Sequence, residues 1–354
     1  MRGKLKVYLG YAAGVGKTYR MLEEAQALRQ RGIDVAIGYF EPHGRKETIA
    51  KTEGMEIVQR RKVAYAHTAF EEMDTDAILR RKPQVVIVDE FAHTNVPGCE
   101  RLKRWQDVEV LLEAGIDVLT TLNVQHLESL NDQIYDITGI RVRETIPDWV
   151  VDAADEVIFV DLTPRALRNR LERGVVYAPD KAQKAMENFF TESNLSALRE
   201  VAMRHAAHEL EEKLEPAPAD HDTAGGHHER ILVCLTGRPS SAMLIRRARR
   251  VADYLQAGCL ALHVAQGEAT EGIDETVKRH MSFARNLRIE TNIVNAEDVS
   301  AAIAEFARKE HITQIFMGRS APLPWWKRLD ETLVQQVVRQ ARDMQITIVA
   351  ERRR

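Results

Sequence analysis

The stretch KVYLGYAAGVGKTYRML, residues 6–22, constrains the fold more than any other part of the chain. A short apolar run enters a turn of small residues, and the turn opens directly into a helical pattern. A strand joined at once to a helix cannot return by a tight hairpin. Its sheet partner must be reached by a crossover, so a parallel sheet is expected. The alternation then recurs. Strands are expected at 4–9, 33–39, 84–89, 117–124 and 155–161, and helices at 17–31, 70–82, 100–114, 126–137, 164–173 and 180–213. In LTPRALRNRLERG, Thr163 reads as an N-cap, Pro164 as the first turn and Gly174 as the stop.

Composition changes at 215–229, EPAPADHDTAGGHHE, which has almost no large apolar residue and reads as a linker. Its His221, His227 and His228 fit a solvated tether better than a metal site, because a flexible segment lacks fixed ligand geometry. A second alternation follows, with strands expected at 230–235, 259–264, 289–294, 312–317 and 345–350. Helices near 239–257, 272–287, 298–310 and 328–343 separate them, as in a doubly wound sheet. The 354 residues thus divide into a domain at 1–214, the linker, and a smaller domain at 230–354. A net charge of −3 gives no support to nucleic-acid binding. Three scattered cysteines and no apolar run of membrane length suit a soluble, cytoplasmic chain.

The turn at 10–16 has the three marks of a phosphate-binding loop: a strand before it, a helix after it, and Lys17-Thr18 at the junction. Gly14, Val15 and Gly16 can turn their N–H groups toward one point at a helix N-terminus, where the dipole also favours an anion. Lys17 supplies a charge for the β and γ phosphates of ATP, and the Thr18 hydroxyl is a ligand for Mg²⁺. The usual first glycine of the motif is replaced by Tyr11, with Gly10 one residue earlier. A continuous apolar strand ends in Asp89-Glu90, where Asp89 is a second Mg²⁺ ligand and Glu90 a candidate catalytic base. Gln125 and His126, with Asn123, follow another strand and are candidates to sense the terminal phosphate or position a water. His93, Asn95, Glu41, His43 and Arg45 are weaker candidates, for which structural hydrogen bonding is at least as good an account.

These residues resemble the cytoplasmic N-terminal region of the KdpD family of potassium-responsive sensor histidine kinases. The resemblance is carried by RGKLKVYLGYAAGVGKTYRMLEEAQALRQRG, EPHGRKET, VDEFAHTNVPG and KRWQDVEVLLEAGIDVLTTLNVQHLESLND, and it runs through most of 3–215. Residues 230–352 resemble the universal-stress-protein-like domain that follows in that family. The resemblance implies an α/β, P-loop NTPase-like domain and a smaller Usp-like α/β domain. It implies that the first binds ATP and tunes the kinase/phosphatase balance toward a response regulator. Its partners would be the membrane-embedded and kinase portions of the sensor. Direct action on a potassium pump, as a phosphotransferase or ATPase, and a scaffold with structural nucleotide are the alternatives. Arg352, Arg353 and Arg354 suit a stop before a membrane segment, or a naturally short homologue.

The second domain departs from its relatives' ligand patterns. Gly318 and Thr332 fit the Gly-x2-Gly-x9-Gly-Ser/Thr pattern, but Ala321 and Glu331 occupy two glycine places, so ATP is not expected there. Ser240-Ser241, Cys259, Leu260 and His263 lack the aromatic rings that a cyclic dinucleotide would stack on. Trp325 and Trp326, beside Lys327 and Arg328, are either a partner contact or core of their own domain.

Overall fold

The computed structural model describes every residue except 43, 67, 175–188, 215–228, 256, 267–273, 320–331 and 351–354, with 207–214 as backbone only. His43, His221, His227, His228, Ala321, Trp325, Trp326, Lys327, Arg328, Glu331 and the terminal arginines lie outside the described residues. The chain forms two compact units, Met1–Pro216 and Ala217–Arg354.

The first unit contains strands β1 (Leu5–Gly10), β2 (Val35–Tyr39), β3 (Glu56–Ile57), β4 (Arg61–Tyr65), β5 (Thr68–Glu72), β6 (Val85–Val88), β7 (Asp117–Asn123) and β8 (Glu156–Phe159). Its helices are α1 (Lys17–Gln30), α2 (Lys46–Ala50), α3 (Thr75–Arg81), α4 (Arg104–Glu113), α5 (Asn131–Thr138), α6 (Asp148–Asp152), α7 (Pro164–Glu172) and α8 (Glu192–Leu214). Six strands make one sheet in the order β3-β2-β6-β7-β1-β8, and every described pairing in it is parallel.

Strand period places alternate residues on opposite faces, and both faces are covered. Val7 and Leu9 of β1, with Val86 and Val88 of β6, enter one core. Tyr8, Val85 and Ile87 enter the other, against Met21, Leu22 and Ala25 of α1. Thr163 caps α7 by accepting from the Ala166 N–H at 3.3 Å, and Gly174 follows with φ +70°.

One expected helix is partly wrong. Residues 70–72 belong to the antiparallel hairpin β4–β5, and helix α3 begins only at Thr75, capped by Asp74. Cross-strand pairs Lys62–Glu71 and Val63–Phe70 hold 70–72 in the hairpin, and Asp74, which accepts from Ala77 N–H, stops α3 from extending backward. The helix expected at 126–137 begins only at Asn131, after two 3-10 turns at Val124–His126 and Glu128–Leu130.

The second unit contains β9 (Arg230–Cys234), α9 (Ser240–Tyr254), β10 (Gly258–Ala265), α10 (Glu275–Asn286), β11 (Glu290–Asn295), α11 (Val299–Lys309), β12 (Gln314–Gly318), α12 (Leu333–Gln340) and β13 (Gln345–Val349). Its sheet runs β11-β10-β9-β12-β13, parallel throughout, which is the doubly wound pattern. Both units are therefore α/β with parallel sheets. In such sheets ligands bind outside the carboxyl ends of the strands, where the strand order reverses. In the first unit that point is the end of β1, between β7 and β8; in the second it lies between β9 and β12.

Candidate functional site

The loop from β1 to α1 occupies the reversal point of the first unit. Gly14 has φ +90° and Gly16, which caps α1, has φ +108°. Side chains rarely adopt these angles, so two glycines are what the turn requires. Gly10 answers a different need. A Cβ there would lie 2.7 Å from Val15 Cγ2 and 2.9 Å from Lys17 Cδ, because the loop folds back across the strand end. Tyr11 does not disturb this path, since its ring is fully buried and its hydroxyl donates to Leu162 O at 2.7 Å.

Lys17 is buried beneath the loop, and its ammonium donates to Ala12 O at 3.0 Å and to Asn123 Oδ1. Asn123 ends β7, whose register sets it beside Gly10. Burial pulls the Lys17 pKa from 10.5 down to about 7; the Asp89 carboxylate opposes this and the Arg45 charge adds to it. The Thr18 hydroxyl donates to Asp89 at 3.3 Å, and Thr121 Oγ1 donates to the same carboxylate. Asp89 is 3% exposed, and burial pushes its carboxyl above the ordinary value. Gly14, Val15, Gly16, Lys17, Thr18, Asp89 and Asn123 therefore form one cluster. A cavity of about 680 Å³ opens beside it, lined by Gly14, Gly16 and Thr18.

Glu90 follows Asp89 after β6, and Gln125 and His126 follow Asn123 in the turn after β7. Glu90 has φ +58°, rare for a residue with a side chain, and its carboxylate lies 3.6 Å from Arg104 Nη1. Gln125 Oε1 is buried with no hydrogen-bond partner, so an acceptor remains unused there. His126 Nδ1 bonds Glu144 O at 2.7 Å, and burial lowers its pKa, which favours the neutral ring.

His93 and Asn95 do not join the site. His93 Nε2 pairs with the buried Glu72 at 3.0 Å, and Asn95 donates to Asp107 at 2.6 Å. Glu41 faces Arg60 at 3.5 Å, while Arg45 lines the cavity.

One residue that sequence reasoning missed is Arg104. It is fully buried and donates to Asp89 O at 3.2 Å and to Glu72 Oε2 at 3.3 Å. Its guanidinium also sits 3.6 Å from the centroid of the Tyr39 ring. An arginine at the start of an amphipathic helix carries no local sign of burial, so only the tertiary contacts reveal it.

The second unit has a cavity of about 320 Å³ at its own reversal point, lined by Thr236, Ser241, His263, Gly318, Arg319 and Thr332. Three of its polar side chains are committed to the fold. Ser241 Oγ donates to Thr236 O at 2.8 Å, His263 Nδ1 bonds Leu235 O at 3.0 Å, and Thr332 caps α12 in a box with Gln335.

Residues 1–210 match the KdpD family, described as "Osmosensitive K+ channel His kinase sensor domain". A KdpD-type sensor protein of Synechocystis sp. is 45% identical over 356 residues, 99% of this chain and 94% of that protein. Sensor protein KdpD of Escherichia coli is 43% identical over 355 residues, 99% of this chain and 39% of that protein. Its counterpart from Mycobacterium tuberculosis is 43% identical over 351 residues, 98% of this chain and 41% of that protein. The chain thus spans nearly all of the first relative and about two fifths of the other two. Among solved structures, a universal stress protein in complex with cAMP matches 35% of this chain and 97% of its own, at 18% identity and a TM-score of 0.30. Among the described residues, no helix is long and apolar enough to cross a membrane.

Proposed function

Because the chain belongs to the KdpD sensor family, we propose that residues 1–214 bind ATP with Mg²⁺ and act as a regulatory input module. Occupancy would set the kinase/phosphatase balance of the sensor toward its response regulator. The membrane-embedded and kinase portions of the sensor are the partners that receive the signal. The observation that carries this proposal is the cluster at the end of β1. Two left-handed glycines shape the loop, a buried lysine lies under it, and a threonine and an aspartate share one corner.

Each residue has a task. The amides of Gly14, Val15 and Gly16 receive the phosphates at the N-terminus of α1. Lys17 exchanges its contacts to Ala12 O and Asn123 for phosphate oxygens, which restores the charge that burial suppresses. Asn123 then turns to the terminal phosphate, with Gln125 and His126 behind it. The donor set fits Mg²⁺, since Thr18 and Asp89 offer two oxygen ligands and a cation would relieve the raised Asp89 pKa. When bound, Mg²⁺ supplies charge neutralisation of the phosphate oxygens.

Titration calorimetry of the 354-residue chain with Mg·ATP is the test. Saturable binding that Lys17→Ala removes supports the proposal; undiminished binding by that variant ends it. A second proposal, turnover of ATP or transfer to a protein such as a potassium pump, draws on the left-handed backbone at Glu90, since strain of this kind gathers at active sites. Phosphate release or transfer that Glu90→Gln abolishes, with binding kept, would favour it. Binding with neither release nor transfer leaves the input module, or a scaffold with structural nucleotide.

A further inference from the structure

The cavity beside the loop carries more positive charge than the loop itself requires. Its charged walls are Arg20, Arg45, Lys46, Arg170 and Arg173, against Glu23 and Glu47. Glu23 is drawn to Lys51 at 3.6 Å. Among the described residues, Arg45, Arg170 and Arg173 have no carboxylate within ion-pair distance. Five cations against two carboxylates leave the wall net positive, and the arrangement suits a polyanion.

The cations reach the cavity from either side of β1. Arg45 stands in the turn after β2, on the β7 side of the sheet, and Arg170 lies on α7, after β8. Arg45 Nε is buried without a hydrogen-bond partner, and Arg45 lines the same cavity as Thr18, the neighbour of Lys17. Lys17 is the group that reaches the β and γ phosphates in such loops, which places Arg45 toward the terminal phosphate. Arg170 sits at the other end. It donates to Gly14 O at 3.3 Å, and its Nη1 is 3.6 Å from where a Cβ on Gly16 would stand. Tyr19, which follows Thr18, lines the same cavity.

We propose that this cavity is a two-ended cationic clamp, in which Arg45 reads the terminal phosphate and Arg170 grips the phosphates on the nucleoside side. The clamp rests on the nucleotide-binding role proposed above and adds a means of telling a triphosphate from a diphosphate. A ligand shifts a conformational equilibrium only through differential affinity. A guanidinium that meets the γ phosphate alone gives ATP and ADP different affinities for this site.

The test is calorimetry on the full chain with Mg·ATP and Mg·ADP, using Arg45→Ala, Arg170→Ala and Lys17→Ala. Loss of one charge-assisted bond is expected to weaken binding about tenfold. Arg45→Ala should show that loss for ATP and leave ADP within about twofold; Arg170→Ala should weaken ATP and ADP by the same factor, about ten. The lysine variants Arg45→Lys and Arg170→Lys, which keep the charge, should recover part of each loss and serve if an alanine variant misfolds.

If Arg45→Ala and Arg170→Ala bind both nucleotides unchanged while Lys17→Ala binds neither, the clamp is refuted and the nucleotide site stands. Equal weakening of ATP and ADP by Arg45→Ala refutes the two-ended assignment. Undiminished ATP binding by Lys17→Ala removes the nucleotide site and the clamp together.

Discussion

The two units of this chain solve the same packing problem and differ at the same place. Each is a parallel sheet covered by helices, with a cavity at the carboxyl ends of its strands where the order reverses. In the first, the reversal point holds an uncommitted donor set. Left-handed Gly14 and Gly16 shape the amides of a helix N-terminus, and the buried Lys17 has only a carbonyl and an amide oxygen as partners. In the second, Ser241, His263 and Thr332 spend their polar atoms on neighbouring backbone and on a helix cap. A parallel α/β sheet therefore offers a crevice wherever its order reverses, but polar groups left short of partners are what give that crevice an affinity for an anion.

The sharpest way to break this comparison is Arg104, which is fully buried, whereas Arg246 of the second unit keeps 8% exposure. Arg104→Met leaves the buried Glu72 without its guanidinium and the Asp89 carbonyl without its donor. A loss of about 3–5 kcal/mol is expected in the first unit, read as an earlier denaturant transition for that unit alone. Next in size is Lys17→Ala, with ATP affinity falling at least about a hundredfold by calorimetry, since a buried charge is lost from the phosphate site. The matched change in the second unit, Ser241→Ala, should leave that affinity unaltered.

A smaller effect comes with pH. Burial holds the pKa of free Lys17 at about 7, and bound phosphate would hold its proton. Binding therefore takes up a proton above that pH, and ATP affinity should fall up to about tenfold per unit between pH 7 and 9. Calorimetry in buffers of different ionisation enthalpy measures the uptake. The sign for stability is opposite. Between about 7 and 10.5 the unfolded chain holds the Lys17 proton that the folded chain has lost, so the ligand-free protein gains stability as pH rises. Lys17→Met should remove that slope. The smallest effect is Thr332→Ala, which deletes the α12 cap and should cost about 1 kcal/mol in the second unit with ATP binding unchanged.

Much of the first site was legible because its parts are contiguous. Glycine spacing, Lys17 and Thr18 lie within one turn, and Asp89 ends an apolar run whose burial on both faces shows as continuous hydrophobicity. The hairpin at 61–72 was less legible. FEEMDTDAILRR has a helical period, and only the alternation of Lys62 and Val63 against Phe70 and Glu71 betrays the strand pair. Asp74 marked the true helix start, three residues before the Ala77 amide that it caps. Arg104 and Arg170 gave no sequence signal, because each is one charge among many on an amphipathic helix.

The sequence by itself determined what is local: alternating strands and helices, the left-handed turns that only glycine tolerates, and the cap that starts α7. These follow from backbone sterics and from side-chain periods, which act over a few residues. The tertiary structure alone decided the strand order. That order brings Asn123 to Lys17 across 106 residues and Arg170 to Gly14 across 156. It also buries Arg104 between Glu72 and Asp89. Such meetings depend on which crossovers close the sheet and which cores they cover, a free energy that belongs to the whole unit and is written in no single segment.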